Sequence, residues 1–61
     1  MPFATREVPI LLVVDDEPNI VYTVTETLAS RDLQVISAST AREGIEQVRK
    51  RRPNVVLLDV R

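Results

Sequence analysis

Two short apolar runs, each closed by aspartate, do most to limit what this chain can fold into. The first is Ile10-Leu11-Leu12-Val13-Val14, followed by Asp15 and Asp16; the second is Val55-Val56-Leu57-Leu58, followed by Asp59. Both are continuous rather than alternating, and both consist of branched aliphatic side chains. A short continuous run of this kind suits a strand buried on both faces, the mark of parallel α/β sheets. If the two runs are neighbouring parallel strands, all three carboxylates meet at one edge of one sheet. Two unit charges ~4 Å apart repel by roughly 4 kcal/mol at an effective dielectric of 20. A cluster of this sort calls for a compensating cation.

The residues between the runs read as two helices and a further strand. Pro9 lacks an N–H and suits a strand entry. Asp16-Glu17-Pro18 reads as a helix start, with Asp16 accepting from the first free N–H groups and Pro18 at the first helical position. Ile20, Val21, Val24 and Leu28 recur at helical spacing and give one apolar face. Residues 33–37 form a shorter, more polar strand, expected at a sheet edge. Thr40-Ala41-Arg42-Glu43 has the pattern of a capping box, in which Thr40 and Glu43 each satisfy the other's backbone donor. The helix it opens runs to about Arg52, with Ala41, Gly44, Ile45 and Val48 as its inner stripe. Gly44 costs about 1 kcal/mol relative to alanine in a helix interior, and close approach of helix to sheet is its expected benefit. Pro53-Asn54 ends that helix, and the last strand covers residues 55–59. The order is β-α-β-α-β, with residues 1–8 a poorly ordered lead and residues 9–61 one unit without repeats or linkers.

Composition narrows the function classes. The chain has 61 residues, below the usual ~100–150 for a domain. No cysteine is present, which excludes disulfides and fits a reducing compartment. Phe3 and Tyr22 are too few aromatics for base stacking, and a net charge of −1 argues against a polyanion binder. The run Arg49-Lys50-Arg51-Arg52 reads as a solvated helix end whose cations complement the negative pole of the helix. No apolar stretch approaches the ~20 residues that span a bilayer. The N-terminus lacks the pattern of a signal peptide, and a soluble cytoplasmic protein is expected.

The three acids carry the chemistry. In open α/β sheets, ligands bind beyond the carboxyl ends of strands where the strand order reverses, and the flavodoxin-like order is a standard instance. With strand order 2-1-3 that point lies between strands one and three, where Asp15, Asp16 and Asp59 stand. Oxygen-only ligands suit Mg2+ or Mn2+, and an aspartate there can act as a nucleophile and form an acyl phosphate. A nucleotide-binding reading of the second run needs an upstream glycine-rich loop. The one glycine is Gly44, inside a helix.

Taken together, the residues from Ile10 to Pro18 and from Val55 to Arg61 resemble the opening and the phospho-acceptor strand of response-regulator receiver domains of two-component systems. The resemblance implies a flavodoxin-like fold. It implies that Asp59 accepts a phosphoryl group from a sensor histidine kinase. It also implies that Asp16 ligates Mg2+ directly, Asp15 largely through water, and Arg61 through its backbone carbonyl. It implies a signalling phosphoprotein of a phosphorelay rather than an enzyme. Receiver domains are about twice as long, and the hydroxyl residue and lysine of their later strands have no counterpart here. The chain therefore reads as the first half of a receiver, truncated or cleaved, with impaired phosphorylation. Contact with nucleic acid, as in transcription regulation, would come only through an output domain outside it.

Two alternatives stand beside this reading. One is a Mg-dependent phosphatase or phosphotransferase with an aspartyl nucleophile; the common pattern places an acid two residues after that nucleophile, where Arg61 stands. The other is an inert interaction fragment. With half a doubly wound sheet, residues 55–58 become an exposed apolar edge, so a symmetric homodimer through that strand and the bare sheet faces is expected.

Overall fold

The computed structural model describes residues 8–59. The leading residues up to Glu7, and Val60 and Arg61, lie outside them, so the expected disorder of the lead has no structural counterpart to set beside it.

Five elements follow in the expected order: β1 (Ile10–Val14), α1 (Pro18–Leu28), β2 (Gln34–Ala38), α2 (Ala41–Arg51) and β3 (Val55–Leu58). The strands form one parallel sheet in the order β2-β1-β3. Leu12 is level with Ile36 on one side and Val56 on the other. Side chains alternate between faces along each strand, and the helices divide accordingly. Leu12, Val14, Val56 and Leu58 line a groove with Ala41, Gly44, Ile45 and Val48 of α2. Val13 and Leu57 line a hollow with Ile20 of α1. The helices thus cover opposite faces.

Burial is concentrated on the middle strand. All five residues of β1 are buried, and Leu12 and Val13 are essentially inaccessible. Full burial of such side chains contributes about 1.5–3 kcal/mol each. Leu12, Val14 and Ala38 form the core cluster, with Ile36 packed against it. The outer strand β3 is exposed along its whole length, Val55 and Leu58 by 59% and 58%.

Gly44 meets its expectation. A Cβ built there would lie 3.0 Å from Val14 Cγ2, so α2 sits close to β1 because this position has no side chain. At the start of the sheet, the Asn54 N–H donates to the Ile10 carbonyl at 2.8 Å. The Asn54 side-chain oxygen accepts from the Ile10 N–H, also at 2.8 Å.

Several local expectations need correction. The second strand begins at Gln34 rather than residue 33, because Leu33 instead pairs back with Ser30 across a tight turn. The last strand ends at Leu58. The N-cap of α1 is Glu17, without a side-chain cap bond, and Pro18 takes the first helical position. Asp16 is therefore not the acceptor at this helix start. Asp15 is, taking the Glu17 N–H at 2.9 Å. Residue Thr40 caps α2 as expected by accepting from the Glu43 N–H at 3.1 Å, but Glu43 returns its main bonds to the N–H and hydroxyl of Ser39, both at 2.9 Å. No residue of α1 is buried; Val21, Val24 and Thr25 are half-buried, while Ile20 and Leu28 are exposed.

The helix α2 stops at Arg51, and Arg52 at its C-cap adopts a left-handed conformation, φ 49° and ψ 62°, with its N–H on the Val48 carbonyl. That conformation costs a residue with a Cβ about 1–2 kcal/mol. Pro53 follows and prevents continuation of the helix.

Candidate functional site

Parallel pairing brings the carboxyl ends of β1 and β3 side by side, and the acids follow directly from them. The Asp15 N–H donates to the Ala38 carbonyl at 3.1 Å, and the Asp59 N–H donates to the Val14 carbonyl at 3.2 Å. Asp15 and Asp59 are thereby each tied to the neighbouring strand through the backbone. The Asp15 side chain folds into an Asx turn, with Oδ1 on the Glu17 N–H, and the residue is buried at 4% exposure. Asp16 and Asp59 are exposed.

All three acids border one cavity of ≈ 260 Å³, together with Ser39 and Thr40 from the turn between β2 and α2. Val14 and Leu58 supply part of its apolar wall, and among the described residues no cationic side chain lines it. Sequence reasoning brought Asp15, Asp16 and Asp59 to one place, and the fold does so. It missed Ser39 and Thr40, although their position after the second strand already put them at the same sheet edge. Arg61, whose carbonyl was expected to join the site, lies outside the described residues.

The donor set consists of carboxylate and hydroxyl oxygens, which suit a hard cation. Among the described residues no group of three acidic side chains is arranged to hold a metal ion.

The sequence profile of the response regulator receiver domain matches residues 11–61. This chain belongs to the response-regulator receiver family. Over 50 residues it is 36% identical to protein PilH of Pseudomonas aeruginosa, covering 82% of this chain and 41% of that protein. Over 51 residues it is 39% identical to transcriptional regulatory protein KdpE of Mycobacterium tuberculosis, covering 84% of this chain and 23% of that protein. The chain thus spans less than half the length of these receiver-family relatives. No solved structure matches it significantly. Among the described residues no helix is long and apolar enough to cross a membrane.

Proposed function

We propose that this receiver segment accepts a phosphoryl group on Asp59 from a phosphohistidine of a sensor kinase, in a cytoplasmic phosphorelay. The observation that carries the reading is that Asp15, Asp16 and Asp59 border one cavity at the carboxyl ends of two adjacent parallel strands. A carboxylate oxygen of Asp59 attacks phosphorus. The new P–O bond forms as the P–N bond breaks, and the imidazole nitrogen leaves with the bonding electron pair. Asp15 and Asp16, with Asp59 and the Arg61 carbonyl, would hold Mg2+. When bound, the ion neutralises charge on the phosphoryl oxygens and relieves the repulsion among the acids. The Asx turn of Asp15 fixes one carboxylate before any ligand arrives, which lowers the ordering cost of binding.

The same reading makes the chain a signalling acceptor rather than a turnover enzyme. Incubation of the full protein with Mg2+ and acetyl phosphate should give one acid-stable, base-labile adduct per chain, absent in Asp59→Asn. Sustained hydrolysis of many phosphoesters per chain would favour the phosphatase alternative instead.

A second copy of the chain is the partner proposed for β3. The exposed apolar residues of that strand and its outer backbone edge support it. A symmetric dimer through Val55–Leu58 should appear in light scattering at micromolar concentration. A monodisperse monomer would sink this part of the proposal.

A further inference from the structure

The outer edge of β3 presents a definite pattern of backbone groups. Along a strand, the N–H and C=O of successive residues point to alternate sides in the plane of the sheet. The Val14 carbonyl accepts from the Asp59 N–H, and the Ile10 N–H and carbonyl both meet Asn54, so the even-numbered residues of β1 bond toward β3. The odd-numbered ones bond toward β2, as the Asp15 N–H does on the Ala38 carbonyl. Level with Leu12 and Val14 on β3 are Val56 and Leu58. In a parallel ladder a residue bonds to the neighbours of its level partner, not to that partner. The backbone groups of Leu57 and Asp59 therefore point toward β1, and those of Val56 and Leu58 point away from it. Among the described residues no strand lies beyond them.

We propose that a second copy of this chain pairs antiparallel with β3, with Leu57 of both copies on the two-fold axis. The inference rests on the dimer proposed above and fixes its direction and register. Charge selects the direction. A parallel pair would bring the two Asp59 carboxylates together, and like charges directly opposite are destabilising. In the antiparallel pair Asp59 is level with Val55 of the second copy.

The two faces of the sheet restrict the register. Directly opposed residues share a face. Val56 and Leu58 line the groove under α2, whereas Leu57 lines the hollow with Ile20 of α1. The axis must then pass through a residue rather than between two. An axis at Val56 would set Leu58 against Asn54, whose N–H is already given to the Ile10 carbonyl. An axis at Leu58 would set Val56 against a residue past the end of β3. An axis at Leu57 lets Val56 of each copy exchange both backbone bonds with Leu58 of the other. It also covers the exposed apolar side chains of β3 with their own kind. The acid clusters then lie at opposite ends of the paired strands, with the two Asp59 residues roughly 13 Å apart along them. Each copy is free to take up a phosphoryl group without repelling the other.

The chain has no cysteine, so single-cysteine variants of the full chain read the register directly. Opposed residues at a non-bonded position have Cα atoms about 4.5 Å apart, inside the ~4.4–6.8 Å range of disulfides. Under mild oxidation Leu57→Cys should give a disulfide dimer on non-reducing electrophoresis. Val55→Cys, on the same face and more exposed, should not. A second variant, Val56→Pro, removes an outward N–H and no bond to β1. It should keep the circular dichroism of the wild type while the dimer dissociation constant rises about tenfold or more. A monodisperse monomer in light scattering overturns the dimer and this register together. A dimer that cross-links through Val55→Cys, Val56→Cys or Leu58→Cys in preference to Leu57→Cys overturns the register alone. So does a Val56→Pro chain that dimerises as tightly as the wild type.

Discussion

Replacement of Gly44 by alanine sets two effects of known size against each other. An exposed helix position would gain about 1 kcal/mol from the change. Here the added methyl would sit 3.0 Å from Val14 Cγ2 and 3.5 Å from Val14 Cγ1. Val14 is 8% exposed in the middle strand, and its β-branched side chain has little rotational freedom. Overpacking of this kind costs about 1–3 kcal/mol. The net change should therefore lie between neutral and about 2 kcal/mol destabilising, rather than the full propensity gain. A double-mutant cycle isolates the contact. Val14→Ala alone removes two buried methyl groups and destabilises the protein. Combined with Gly44→Ala it should cost at least about 1 kcal/mol less than the sum of the single changes, since the new methyl then has room. Urea unfolding midpoints of the four proteins, at a common m-value, measure this. A gain of about 1 kcal/mol for Gly44→Ala, additive with Val14→Ala, would refute the claim that α2 approaches β1 through the missing side chain.

Two further tests address the ends of the sheet and of α2. Removing the side-chain acceptor with Asn54→Ala leaves the N–H of the buried Ile10 unpaired and should destabilise by about 1–3 kcal/mol in the same assay, while Asn54→Asp should retain most of that stability. The N–H and hydroxyl of Ser39, in that order, hold the Glu43 carboxyl below its usual value of 4.5. Because the folded value is the lower one, the stabilisation is complete above about pH 4.5 and fades as pH falls through the folded value. Glu43→Gln should flatten the acid limb of a stability-versus-pH curve, and an unchanged limb would count against the Ser39 bonds.

The extent to which the sequence foretold the structure differs from residue to residue. The bounds of β1 were readable because Pro9 and Asp15 bracket an uninterrupted aliphatic run, and nothing else in the chain competes for those residues. The second strand slipped by one position because Leu33 looks like a strand residue but is used to close a turn with Ser30. Two adjacent aspartates gave no local reason to choose between them as the acceptor at α1. The choice is made by tertiary pairing, since the Asp15 backbone is tied to Ala38 and its side chain is directed at Glu17. Likewise, of the stripe Ile20, Val21, Val24 and Leu28 only Val21 and Val24 are half-buried, beside Thr25, while Ile20 and Leu28 are exposed, because the seating of α1 depends on how far the helix stands from the sheet. For the site, the acids were legible because their placement follows from strand ends alone. Ser39 and Thr40 were not singled out, since their nearness to the acids depends on how the turn after β2 is laid down.

The paired contacts between Ile10 and Asn54 have a consequence at the opposite end of the sheet. Besides the Asp59 N–H bond to the Val14 carbonyl, the alignment of the acids is set at the place where the two strands first meet. Asn54 precedes Asp59 by the same five residues that separate Ile10 from Asp15. A slip of one residue there would carry Asp59 about 3.3 Å along the strand and turn its side chain to the other face. The amide of Asn54 thus acts as a distant gauge block for the carboxylates. A change at that neutral residue should be felt as misplacement of Asp59 against Asp15 while every acid is still present.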